Sequence, residues 1–330
     1  MSEPYIIKDA SIKSIATEVM KKGYGRGLVE AGKLNEDVVA ASTDEVGSTG
    51  TDAFAKEFPD RFFEIGIGEQ NLVTVCSGLA AMGKIPFAAA YAAFSPGRNW
   101  EQIRTTICLN NRPVKIISTH VGLSDSPDGA THQMLEDIAL MRSLPNMTVI
   151  APCDSLEAAK ATMAVAKTNK PAYIRIARDE TAIITTDKTP FEIGKAYVFA
   201  PGEDITIIAT GRMTYHALVA AEKLYKDGID MEIIHCPTIK PLDAVTILQS
   251  VKKTGRVITV EEGQINGGLG GAIAELLGEE HPVILKRIGV RDQFGQSGKP
   301  EELFEHYGLT AKHIMIAAHE LIAKTKKDKD

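Results

Sequence analysis

The chain has 330 residues, 44% of them hydrophobic, a formal net charge of −6 and an isoelectric point near 5.8. That is length enough for two ordinary globular domains, and an acidic balance with dispersed Lys and Arg argues against a nucleic-acid partner. No run approaches the ~20 apolar residues of a membrane span, and the opening segment 1–8 lacks a signal-peptide core, so a cytoplasmic protein is expected. Cys76, Cys108, Cys153 and Cys236 lie far apart with no CxxC pair, and reduced core packing is expected of them.

Taken in chain order, short β-rich runs at 38–42, 62–67, 85–90, 114–118, 148–150 and 172–176 alternate with amphipathic segments. The segments at 70–82, 100–107, 133–142 and 156–166 have helical spacing. Such alternation predicts a mainly parallel sheet covered on both faces. The pattern pauses over 179–204, a stretch mixing Thr, Asp, Lys, Pro and Gly, and then restarts. Strands at 205–209, 231–236 and 257–260 and helices at 216–226, 242–254 and 270–277 predict a second, smaller unit. The fold class is therefore α/β, as two successive three-layer domains at 10–185 and 205–330 joined by a linker at 186–204. The charged run 324–330 is expected to be a frayed end.

Three segments could carry chemistry. In Ile65-Gly-Ile-Gly-Glu-Gln-Asn71 a carboxylate sits where an apolar strand ends and an apolar helix begins. Desolvation there favours the neutral form, suited to a general acid or a strong hydrogen-bond donor. Alternatively, Glu69 only accepts backbone N–H bonds in the first helical turn. The second segment, Thr119 to Gln133, places His120, Asp128 and His132 directly after a strand, at the carboxyl end of a parallel sheet where open α/β folds bind ligands. Metal binding by the two histidines is weakly signalled without a third ligand, and capping by Asp128 or His132 is the structural alternative. Third, Gly267, Gly268, Gly270 and Gly271 open a helix, a geometry able to bind an anion. Their spacing does not match GxGxxG, which favours close packing. Tyr91 and Phe94 could form a flat wall for a heteroaromatic ring, or belong to the core.

These segments together resemble the C-terminal section of transketolase, the half that some microbes encode separately. The resemblance covers nearly the whole chain. Its marks are Ser42-Thr-Asp-Glu-Val-Gly-Ser-Thr-Gly50, Phe62-Phe-Glu-Ile-Gly-Ile-Gly-Glu-Gln-Asn71, Asp128-Gly-Ala-Thr-His-Gln133, Leu135-Glu-Asp-Ile-Ala-Leu-Met-Arg142, Pro145-Asn-Met-Thr-Val-Ile150 and Phe294-Gly-Gln-Ser-Gly298. The resemblance implies a pyrimidine-binding domain, a transketolase C-terminal domain and the cofactor thiamine diphosphate. Glu69 would bond N1′ of the aminopyrimidine and favour the imino tautomer that deprotonates C2, with Tyr91 and Phe94 flanking the ring and Asp44 also at the cofactor. His120 and Arg178 would face the sugar phosphate with Ser48 nearby, Asp128 would read a hydroxyl, and His132 would line the channel and join Glu69 and His120 in catalysis. Arg178 has a local alternative, a surface ion pair with Asp179 or Glu180.

The family usually has an arginine shortly before the segment matching Tyr24-Gly25, where this chain offers Lys21 and Lys22, point charges without a bidentate fork. The diphosphate signature, Gly-Asp-Gly followed by Asn, does not occur. An N-terminal transketolase subunit would then have to supply the diphosphate site and the Mg²⁺ or Ca²⁺, within an α2β2 heterotetramer. The implied reaction is ketol transfer from a ketose phosphate to an aldose phosphate, in pentose phosphate metabolism. The β subunit of a 2-oxo-acid dehydrogenase, deoxyxylulose-phosphate synthase and a non-catalytic assembly subunit are the competing readings.

Overall fold

The computed structural model describes residues 15–327. The opening segment 1–8, the first residues of the expected first domain and the last three of the terminal run lie outside the described residues. Among the described residues, fourteen strands run in chain order. They are β1 (Thr17–Val19), β2 (Val38–Ser42), β3 (Phe62–Glu64), β4 (Ile85–Tyr91), β5 (Lys115–Thr119), β6 (Thr148–Ile150) and β7 (Ala172–Arg175). After them come β8 (Glu180–Ala182), β9 (Tyr197–Ala200), β10 (Ile205–Ala209), β11 (Met231–His235), β12 (Thr238–Lys240), β13 (Arg256–Gln264) and β14 (Ile284–Val290).

The strands form a seven-stranded sheet of order β12-β6-β7-β5-β4-β2-β3, a five-stranded sheet of order β14-β13-β10-β11-β9 and a ribbon of β1 with β8. In the large sheet every pairing is parallel except that of β12 with β6; in the smaller, only β9 runs antiparallel. Residues of β2, β5 and β10 are buried throughout, as expected of central parallel strands with helices on both faces. The two α/β units are thus present, and β12, from the second half of the chain, completes the edge of the first sheet. The four cysteines are free and buried. Among the described residues no helix is long and apolar enough to cross a membrane.

The chain departs from the sequence reading in local ways. β9 falls inside the stretch read as linker. The segment expected to be helical from 133 starts only at Asp137, because Met134 bridges Val121 and Gly122 and the Gln133 side chain donates to Gln296 O at 3.0 Å. The segment at 100–107 is one short α-turn, Trp100–Gln102, followed by a π-helix, Ile103–Cys108. Helix Ala311–Lys327 continues into the run expected to fray.

The strand read as ending at 260 continues to Gln264, carrying two carboxylates into the interior. Glu261 accepts Leu269 N at 2.7 Å and Gly270 N at 2.8 Å. The glycine-rich helix start therefore already holds a carboxyl group, the chain's own, which accounts for the close packing there.

Helices Met20–Leu34 and Ser155–Ala166 lie against each other through glycines. A Cβ at Gly27 would meet Ala159 O at 2.6 Å, and one at Gly23 would collide with Ser155 O. Gly27→Ala should destabilise by roughly 1–3 kcal/mol despite the better helix propensity of alanine, since backbone cannot yield. A lower urea midpoint with unchanged slope is the expected result; a stabilised variant would show that the contact is loose.

Candidate functional site

The residues singled out from the sequence converge on one place, the carboxyl ends of β2, β3, β4, β5 and β7. Parallel strands aim their successors at this edge, and loop side chains there escape the sheet's own hydrogen-bond demands.

Glu69 is the first residue of helix Glu69–Ala81 and is only 3% exposed. Its Oε2 accepts from Arg98 Nη1 at 2.7 Å, and its main-chain carbonyl accepts from Asn99 Nδ2 at 2.9 Å. The carboxylate is thus met by a guanidinium rather than by helical N–H groups. Arg98 also lies over the Phe94 ring, 4.6 Å from its centroid. Phe94 and Tyr91 are near-parallel, with centroids 6.3 Å apart and planes 9° apart. Tyr91 stacks on His120 at 3.7 Å, and His132 meets Phe94 edge-on at 5.4 Å.

His120 has a left-handed backbone, φ 59°, and is buried, with Nδ1 2.9 Å from Thr119 Oγ1. Burial, reinforced by the positive charges of Arg178 and Lys21, pushes its pKa down to about 3. It is a neutral imidazole at any working pH. Asp128 is exposed and makes no capping bond to the turn that follows it, and His132, half-buried, shares a hydrogen bond with Thr131 Oγ1 at 3.0 Å. Arg178 does not form the local pair of its alternative reading. Its Nη1 lies 3.3 Å from Asp125 Oδ1, while Asp179 turns to Arg212 Nη1 at 3.3 Å.

Ser48 is half-buried on the turn Val46–Thr49. Lys21 Nζ donates to Gly47 O beside it at 3.0 Å, and Lys21 and Lys22 line a groove of about 640 Å³ between this turn and helix Met20–Leu34. Asp44 is exposed, its backbone in the left-handed region at φ 61° and its N–H given to Glu64 Oε1 at 2.7 Å. Its neighbour Glu45 is the one that turns inward, its Oε2 accepting Tyr91 N at 3.0 Å. Burial, opposed by that bond and assisted by the nearby Glu69 charge, lifts Glu45 to about 7.

Arg98, Glu45 and Asp125 are site residues that the motifs did not single out. Each lies within five residues of one that was, so only the direction of a loop turn separated them.

Among the described residues, the one group of three side chains close enough to share an ion is elsewhere. It comprises Cys153, Glu157 and His235, buried between the two units. It is closed on itself: His235 Nδ1 is 2.8 Å from Thr214 Oγ1 and its Nε2 is 2.8 Å from Glu157 Oε2.

Residues 17–182 match the family described as transketolase, pyrimidine binding domain, and residues 194–314 the one described as transketolase, C-terminal domain. The chain belongs to the transketolase family. It is 45% identical over 94% of its length, and 97% of the relative's, to a Methanocaldococcus jannaschii protein provisionally named a transketolase C-terminal section. A Clostridium sp. (strain MSTE9) protein named 6-deoxy-6-sulfo-D-fructose transketolase subunit is 37% identical, covering 97% of this chain and 98% of the relative. A solved structure described as a split-gene transketolase, inactive beta4 tetramer, superposes with a TM-score of 0.87 at 42% identity, covering 92% of this chain and 98% of that one.

The family uses thiamine diphosphate. The residues present fit its aminopyrimidine end, since a carboxylate almost wholly buried at a helix start stands beside a flat aromatic wall. The expected stability signature of this edge lies in Glu45. A carboxyl raised to about 7 favours the fold fully below its ordinary value of 4.5, and that contribution is lost as pH rises through about 7. Glu45→Gln should therefore gain on the wild type in melting midpoint between about pH 5 and pH 8, by a few degrees after solvent screening. A gap independent of pH would mean that Glu45 is freely hydrated.

Proposed function

We propose that this chain is the pyrimidine-binding subunit of a split, thiamine-diphosphate-dependent transketolase, which moves a two-carbon ketol unit from a ketose to an aldose. The observation that carries the reading is the buried Glu69 beside the Tyr91–Phe94 wall, on the same sheet edge as His120, Asp128, His132 and Arg178. When bound, thiamine diphosphate would supply the carbon nucleophile that ketol transfer needs.

The chain's own residues do the rest. Glu69 holds a proton at N1′ of the aminopyrimidine, and its burial keeps water from competing for that bond. Tyr91 and Phe94 pack against the ring and fix its plane. His120, uncharged, offers a hydrogen bond at the anionic distal end beside Arg178, with His132 on the channel wall. Asp128, exposed at the loop tip, accepts from a hydroxyl at C2 of the aldose. Arg178 and Lys21, with Ser48 nearby, meet an anionic distal end, a phosphate or another acidic group. Asp44 belongs to the cofactor side through the turn it shares with Glu45.

The diphosphate and its Mg²⁺ or Ca²⁺ require donors that a partner must bring, so activity depends on an N-terminal transketolase subunit in an α2β2 assembly, placed in the cytoplasm. The relative named for a 6-deoxy-6-sulfo sugar supports keeping modified sugars among the substrates.

Glu69→Ala should lower ketol transfer from xylulose 5-phosphate, or another ketose that proves active, by at least ~100-fold. Assembly with the partner, followed by light scattering, should be unchanged. Full turnover by the variant would remove the mechanism; release of CO2 from a 2-oxo acid by the wild-type complex would redirect the reading to the dehydrogenase class.

A further inference from the structure

The substrate end of this edge is charge-balanced rather than basic. Asp125 is fully buried, neither of its oxygens is satisfied by a hydrogen bond, and Oδ1 lies 3.3 Å from Arg178 Nη1. A buried carboxylate so short of donors holds its counter-ion firmly, because losing the cation would leave an unpaired charge in a low dielectric. Arg178 itself is 38% exposed. Its main chain is tied to the same loop, Arg178 N donating to Ser124 Oγ at 3.1 Å.

The other charges nearby do not restore a surplus. Burial and the neighbouring Asp128 lift Asp125 to about 6, which leaves it ionised at neutral pH. His120, pushed down to about 3, contributes no positive charge. Arg178 and Lys21 are therefore opposed by Asp125 and Asp128, two cations against two carboxylates. A phosphate dianion entering such a site adds two negative charges where none are owed, and unbalanced charge at a desolvated contact works against binding.

Building on the ketol-transfer reading, we propose that Asp125 sets the charge of the accepted sugar. By neutralising Arg178 it selects a distal group with a single negative charge, such as a sulfonate or carboxylate, over a phosphate dianion. Asp125 never needs to touch the sugar, so its role is that of a positioning and specificity residue acting through Arg178. The rival role, in which Asp125 merely aims Arg178 at a phosphate, predicts the opposite sign.

The test uses the assembled complex at about pH 8, where phosphate monoesters are dianions. Fructose 6-phosphate and 6-deoxy-6-sulfofructose serve as donors, since they differ only in the distal group. The wild type should show the higher kcat/KM for the sulfo sugar. Asp125→Asn, isosteric and uncharged, should shift the ratio toward the phosphate by about tenfold, mostly through KM, and should tighten inorganic phosphate binding by calorimetry by a similar factor. In an Arg178→Gln background the same change should have no effect. A wild type that prefers the phosphate, with Asp125→Asn weakening phosphate binding, would overturn the proposal in favour of the aiming role. If no ketose turns over, the ketol-transfer reading fails, and the phosphate dissociation constants still decide the part played by Asp125. Asp125→Ser provides a second variant should the asparagine fold poorly.

Discussion

A carboxylate from the second domain holds the loop on which the site is built. Glu262 Oε1 accepts Leu123 N at 2.9 Å in a wholly buried setting, while Glu262 O accepts from Arg175 Nη2 at 2.6 Å. The loop must come this close: Gly122 has φ 64°, and a Cβ there would lie 2.5 Å from Glu262 Oε1. Further along, Gly298 N donates to Ser126 O at 3.1 Å, so the second domain grips the same loop on both sides of Asp125. His120 can keep its left-handed backbone because the segment after it is over-determined from outside its own sheet. The C-terminal domain thereby shapes the candidate edge, and its Ser297 side chain lies against Gly129 of the same loop.

The junction works because its charges are buried in connected sets rather than singly. Arg175 donates to Asp137 Oδ2 at 2.7 Å, the same oxygen that Tyr173 OH reaches at 2.7 Å, and Arg175 then continues to Glu262 O. Each of these groups would be costly alone; together they satisfy most of one another's hydrogen-bonding capacity. Such a network contributes little net stability over an apolar interface. What it supplies is a single register between the two units, and with it a single shape for the loop that Glu262 holds. β12 adds to the same register from the other end of the sheet, since a strand cannot slip without turning its buried residues outward.

Much of this was legible in the sequence where local forces dominate. β2, β6 and β10 have the bounds read for them, because an apolar run between turn residues is strand-forming wherever it sits. The junction at Glu69 was legible too, as a carboxylate between an apolar strand and an apolar helix. Nonlocal pairing was not. β9 alternates weakly and becomes a strand only by joining β11 at the sheet edge, and β12 crosses to a sheet built by the other half of the chain. Glu261 and Glu262 read as the end of a strand because charge is rarely buried; backbone donors from Leu269, Gly270 and Leu123 reverse that expectation. Arg98 and Asp125 were hidden for the same reason: each earns its place through a partner distant in sequence.

The Arg98–Glu69 pair shows how a carboxylate almost wholly buried at a sheet edge is tolerated in this chain. A lone carboxylate, 3% exposed at a helix start, would have little but the helix dipole to stabilise it. Arg98 supplies the missing charge from a half-exposed position, its guanidinium resting on Phe94 at 4.6 Å. The buried carboxylate is paired while its partner remains in contact with water. In the proposed function the aminopyrimidine competes for that carboxylate, and a half-solvated arginine gives way more cheaply than a buried one because its desolvation is incomplete. On the proposed reading, Arg98 pairs the buried carboxylate in the separate subunit through a contact that is itself half-solvated, as an enzyme divided between two chains would require.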